Sequence, residues 1–216
     1  LLDVTMEDLH DMPQQLYEGK ITKLREKTQG QLVIKEYPTA SAHSGHFKSL
    51  MNELALKKSF RPDVIFIDYL NICASSRFKG GNISSYFYVK AIAEELRGLA
   101  VEFNVPIFSA TQTTRTGYVS TDIGLEDTSE SFGLPATADF MFALISNEEL
   151  EALGQMKVKQ LKNRYNDPSI NRAFIIGVDR AKMRLYDVQQ KAGEIVDANQ
   201  VDEKEDAYNK FSDFKL

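Results

Sequence analysis

Four side chains in this 216-residue chain stand where an α/β fold gathers ligands. Asp68 follows the apolar run Val64-Ile65-Phe66-Ile67. A continuous apolar run bounded by polar residues reads as a strand buried on both faces, and such strands lie in the middle of α/β sheets. Their carboxyl ends open onto the ligand crevice. A carboxylate buried there needs a partner. A magnesium ion beside a nucleoside triphosphate is one, and capping of the next turn is the plain alternative. Gln112 ends a second run, Val105-Pro106-Ile107-Phe108-Ser109-Ala110-Thr111. A glutamine there can hydrogen-bond a γ-phosphate or its attacking water and so report whether the phosphate is present. It can equally satisfy backbone groups at a strand end. Lys162 and Arg164 are two apart on a later strand and so share a face. A cation pair suits phosphate recognition, and an arginine can stabilise transition-state charge; a solvated strand face is the bland reading.

Helices and strands must alternate to bring these groups together. Residues 1–30 read as helical with a break near Pro13, and Thr5 followed by Asp8 reads as an N-cap with an acid in the first turn. Residues 31–37 read as a strand ended by Pro38, 40–46 as a loop, and Phe47 to Leu56 as a helix. After the Asp68 strand, residues 73–85 read as a loop carrying Arg77 and Lys79. The clearest helix follows, with Val89, Ile92, Ala93, Leu96, Leu99, Ala100 and Phe103 on one face and Glu94, Glu95 and Arg97 largely off it. Asn104 can end it and Pro106 discourages its continuation. Beyond Gln112, residues 113–128 form a polar loop with Arg115, and 140–145 a third buried strand. Residues 158–165, 172–178 and 183–188 read as strands joined by turns, an antiparallel extension of a parallel sheet. The expected architecture is one α/β domain over 1–189, with an acidic, flexible tail or short helix over 190–216.

The bulk composition narrows the function classes. A net charge of −5 and a pI near 5.3 argue against wholesale wrapping of DNA, though not against contact through a few local loops. Cys73 is the only cysteine, so there is neither a disulfide framework nor a cysteine zinc cluster, and a reducing cytosol fits. Its expected role is packing. His43 and His46 are three apart with no third ligand in view, which makes metal binding an unattractive reading. No apolar stretch is long enough to span a membrane. The first residue is Leu1, which suggests a piece of something longer.

Taken in order, VIFIDYL, AIAEELRGLAVEFNVPIFSATQ, SESFGLPATADFMFAL and KNRY resemble the RecA-fold motor domain of DnaB-type replicative helicases, most closely those of T-even-type bacteriophages. The resemblance runs from LLDVTMEDL to about residue 188. It implies a mainly parallel sheet flanked by helices, ATP and Mg2+ as cofactors, a homo-hexameric ring, single-stranded DNA as track, and a primase and a helicase loader as further partners, in the cytoplasm of an infected host. It implies that Asp68 is the Walker B aspartate holding magnesium, through water, and that Gln112 is the sensor between the γ-phosphate and a DNA loop. By the same resemblance Lys162 and Arg164 reach a neighbouring subunit's ATP site, and Arg77, Lys79 and Arg115 touch DNA phosphates. Glu130 falls in the family's fourth helicase motif, and a surface acid or helix cap is its plainer reading.

The family's phosphate cradle is missing. No G-x-x-x-x-G-K-[ST] occurs in the sequence, and a cradle needs those backbone amides and that lysine. The family's catalytic glutamate would align just before Leu1. The chain therefore resembles the second half of a motor domain, inactive alone. The cradle strand belongs beside the Gln112 strand, so its absence should leave a gap or an exposed edge. Two other readings stand beside this one: a non-catalytic RecA-fold subunit that assembles and binds DNA, and a response-regulator receiver with Asp68 as phospho-acceptor. The receiver lacks the acidic pair and the nearby Ser/Thr strand end that class needs.

Overall fold

The computed structural model describes residues 2–78, 83–113, 123–127, 133–167, 170 and 172–188. Helices α1 (Met6–Asp11) and α2 (Gln14–Lys27) are divided at Pro13, as the break in the apolar spacing anticipates. The Thr5 hydroxyl accepts from the Asp8 amide at 3.0 Å, so Thr5 is the N-cap of α1. The N-terminal segment is tied to the far end of the chain: the Met6 amide donates to the Ala181 carbonyl at 2.8 Å, and Asp3 pairs with Lys182 at 2.9 Å.

Residues 31–37, expected as a strand, form none. Leu32 and Ile34 are 81% and 83% exposed. β-Propensity makes a segment fit a sheet but supplies no neighbour, and among the described residues no strand pairs with this one. Tyr37 alone turns inward, edge-on to Phe47 at 5.8 Å.

Helix α3 (Ser44–Lys58) starts under two histidine caps. His43 Nδ1 accepts from the Gly45 amide at 3.0 Å, and His46 Nδ1 accepts from the His43 amide at 3.3 Å. A Cβ on Gly45 would meet the His43 ring at 2.8 Å, so the cap needs glycine there. Strand β1 (Ile65–Ile67) follows and leads into a 3-10 turn over Leu70–Ile72. Helix α4 (Ser85–Phe103) buries Val89, Ile92, Ala93, Leu96 and Leu99 as its periodicity predicts, and Asn104 ends it in the left-handed conformation. Ile92, 1% exposed, is the centre of a core that joins α4 to Leu70, Cys73 and Leu134, with Phe47, Ile67 and Tyr88 around it. Cys73 is therefore a packing residue, and burial pushes its thiol up.

Strand β2 (Ile107–Ser109) pairs with β1 in parallel, Ile67 opposite Ser109. After helix α5 (Gly133–Thr137) come β3 (Phe140–Ile145), the short helix α6 (Glu148–Ala152), β4 (Gln155–Asn163), β5 (Ala173–Asp179) and β6 (Arg184–Asp187). The last four strands make one antiparallel sheet in the order β3-β4-β5-β6. The antiparallel extension is thus as expected, and among the described residues no ladder joins β3 to β2.

Burial on both faces of β1 and β3 does not hold. Phe66 is 72% exposed and stacks on Phe108 across the β1–β2 pair, ring centres 5.3 Å apart. Along β3, Phe140, Phe142 and Leu144 are exposed while Ala143 and Ile145 are buried. Helices cover one face of these strands; among the described residues no layer covers the other.

Candidate functional site

Parallel pairing puts the carboxyl ends of β1 and β2 at one edge. Ser109 Oγ donates to the Ile67 carbonyl at 2.8 Å, and the Leu70 amide donates to the Ala110 carbonyl at 3.2 Å, which prolongs the alignment past both strands. Asp68 is the first residue beyond β1, joined to Tyr69 by a cis peptide bond. It is exposed, and among the described residues no donor is placed on its carboxylate. Gln112 Nε2 donates to the Tyr69 hydroxyl at 3.3 Å. The glutamine is thus tethered to the residue next to Asp68, as a pair serving one site requires.

Lys162 and Arg164 converge as expected, and their target is α5. Lys162 Nζ donates to the Pro135 carbonyl, and Arg164 Nη2 to the Ala136 carbonyl at 3.1 Å. Burial pushes the Lys162 ammonium down, and the charge of Arg164 adds to this. Arg164 Nη1 also meets Asp139 Oδ1 at 3.2 Å. The same oxygen receives Arg97 Nη1 at 2.7 Å, and that nitrogen also donates to the Thr137 carbonyl at 2.7 Å. Sequence patterning leaves Arg97 off the apolar face of its helix and does not single out Asp139. The only signal for the latter is a carboxylate directly before an apolar strand.

Arg77 is held by Glu94 at 2.5 Å, on the exposed side of α4. The next residue, Glu95, is equally off-face by its spacing, yet it is the centre of a network. Its carboxylate accepts from Ser75 Oγ at 2.6 Å, Ser76 Oγ at 2.7 Å, Ser44 Oγ at 2.8 Å and the Ser76 amide at 3.0 Å. Burial alone would raise its pKa, and these donors from Ser75, Ser76 and Ser44 outweigh it, holding the group at about 2. Glu95 thereby pins the chain leaving Asp68 to α4 and to the start of α3. Lys79, Arg115, Glu130 and the 190–216 tail lie outside the described residues.

The arrangement suits part of a nucleotide site. Magnesium keeps several waters and takes one or two carboxylates, so a lone, unengaged Asp68 at a strand's carboxyl end fits water-mediated binding. Among the described residues no cluster of three or more His, Cys, Asp or Glu comes together, so a cage made only of protein ligands is not formed. His43 and His46 are spent as helix caps. Among the described residues no helix is long and apolar enough to cross a membrane.

No protein-family model matches the chain. Over 218 residues it is 41% identical to the DnaB-like replicative helicase of Enterobacteria phage T4, which covers 97% of this chain and 46% of that protein. The chain thus spans about half the length of the curated relative it matches. Among solved structures, a separately solved ATPase domain superposes with a TM-score of 0.69 at 15% identity, covering 87% of this chain and 67% of that one. A DnaB-like replicative helicase, solved to show its interactions with primase, gives a TM-score of 0.68 at 15% identity, covering 87% and 46%. At that identity these two likenesses establish the fold, which is the RecA-like fold of helicase ATPase domains.

Proposed function

From its 41% identity to a DnaB-like replicative helicase along nearly its whole length, we propose that this chain forms the second half of a DnaB-type replicative helicase motor. That identity is the observation that carries the reading. In it, Asp68 holds Mg2+ through water at the carboxyl end of β1, and Gln112 senses the γ-phosphate and passes its presence to loop 113–128. Lys162 and Arg164 serve the ATP site of an adjacent subunit in a homo-hexameric ring, and Arg77, Lys79 and Arg115 contact the phosphates of single-stranded DNA. Bound MgATP supplies a phosphoanhydride whose cleavage drives the motor. The chain's own residues position, sense and neutralise charge, which is nearly all a protein contributes to phosphoryl transfer. A primase partner is suggested by the solved relative whose interactions with primase are known, and a loader by the family resemblance alone.

The phosphate cradle must then come from outside these 216 residues, since the sequence has none. The 216-residue chain alone is expected to show no Mg2+-dependent ATP turnover with single-stranded DNA, whereas the full-length protein hydrolyses ATP and unwinds duplex. Turnover by the isolated chain would overturn the half-motor reading. In the full-length protein, Arg164→Ala should reduce DNA-stimulated turnover by roughly a thousandfold or more while rings still assemble, as removal of an arginine finger does. Turnover that survives this substitution removes Arg164 from the site. A non-catalytic subunit predicts instead that the full-length protein binds DNA and assembles without hydrolysing ATP.

A further inference from the structure

We propose that Asp139 is a positioning residue for Arg164, and that by sharing one carboxylate oxygen between Arg164 and Arg97 it ties the candidate finger to α4. The proposal rests on the helicase reading above, in which Arg164 acts at a neighbouring subunit's ATP site.

Asp139 grips Arg164 at both ends. Its backbone carbonyl accepts from the Arg164 amide at 2.9 Å, while Oδ1 meets the guanidinium at 3.2 Å. Ala136 supplies one more acceptor, so the planar fork of Arg164 has fixed partners on two sides. A long side chain just past the end of β4 would otherwise sample many rotamers, and a finger must arrive in one geometry. The three charged side chains are 32–41% exposed, so the cluster is at a surface where another chain could take over one of its hydrogen bonds.

Arg97 gives this mount its second connection. It donates to the same Oδ1 at 2.7 Å and to the Thr137 carbonyl at 2.7 Å. If Arg164 swings toward a phosphate, Asp139 remains neutralised by Arg97 and is not left as an unpaired carboxylate. Release of the finger is thereby made cheap, and its return is guided. Arg97 also stands two residues from Glu95 on α4, on nearly opposite sides of the helix at about 100° per residue. Glu95 holds Ser75 and Ser76, on the segment that leaves Asp68. One helix therefore touches the base of a subunit's own magnesium site and the mount of the finger it extends to its neighbour. A rigid element contacting both sites is the kind of body through which coupling travels.

The test uses the full-length protein. Asp139→Asn keeps the size and one acceptor but removes the charge. DNA-stimulated kcat should fall roughly ten- to a hundredfold, the cost of a misplaced catalytic group. KM for ATP should stay within about twofold, because ground-state binding is untouched. Asp139→Asn combined with Arg164→Ala should be no slower than Arg164→Ala alone, since both act through one guanidinium. A kcat for Asp139→Asn within about twofold of the unsubstituted protein, with Arg164→Ala inactive, overturns the proposal and leaves the finger reading standing. Full activity of Arg164→Ala overturns both. A fall in kcat that only tracks loss of folded protein, read by melting temperature, assigns Asp139 a structural role and also overturns it. If Asp139→Asn does not fold, Arg97→Gln is measured in its place, with a several-fold loss of kcat expected and an unchanged kcat overturning the link to α4.

Discussion

Donors from Ser44, Ser75, Ser76 and Arg77 converge on Glu95, and the result is a carboxylate titrating near 2. An ordinary glutamate titrates near 4.5, so the folded state binds this proton less readily than the unfolded chain. The stabilisation is fully present above about pH 4.5 and is lost as pH falls from there toward 2. Discounted for the partial exposure of the group, it is worth about 1–2 kcal/mol. Glu95→Gln should cost about that much at pH 7 and flatten the stability profile between pH 4.5 and 2. Urea unfolding at a series of pH values checks both; an unaltered profile would remove Glu95 from the network. None of this is visible in the sequence. The serines come from positions 44, 75 and 76, and only the folding of α3 and α4 against the turn after β1 brings them to one carboxylate.

At the scale of elements, legibility follows the range of the interaction. Helix α4 is readable because its apolar stripe and its stop at Asn104 and Pro106 are local. Ile92→Ala at its centre should destabilise the fold by about 2–5 kcal/mol, read as a lowered urea midpoint with an unchanged slope. Truncation of the exposed Val101 on the same helix should cost far less. Strand ends are also readable: Asp68 and Gln112 belong to one edge by their places in the chain, and Tyr69 joins them there. Burial of strands is not readable. An apolar run says that a residue can be buried, whereas exposure of Phe66 depends on which layers are present to cover it. Residues 31–37 mislead for the same reason, since a strand needs a partner edge that local propensity cannot supply. Lys162 and Arg164 stand out as a pair in the sequence, but their tether to α5 and Asp139 is tertiary and comes only with the fold.

Over the whole molecule, the split between a two-stranded and a four-stranded sheet and the bare faces of Phe66, Phe108, Phe140 and Phe142 describe a surface built to be covered. The isolated chain should therefore self-associate as its concentration rises, and Phe66→Ser with Phe108→Ser should weaken this in sedimentation velocity; identical profiles would mean these rings are not the contact. The ion pair of Arg77 with Glu94 bears on association with a polyanion. An arginine that already has a carboxylate is no free counter-ion for DNA. To meet a phosphate it must leave Glu94 behind, and that acid takes up a cation from solution as the phosphate sheds one. A contact made by Arg77 would then be nearly silent in the salt dependence of binding, where an ordinary phosphate contact contributes a slope of about 0.7 on single strands. Glu94→Gln should make that contact visible as a steeper dependence, so counting phosphates from salt titrations of the native protein would undercount its grip on the strand.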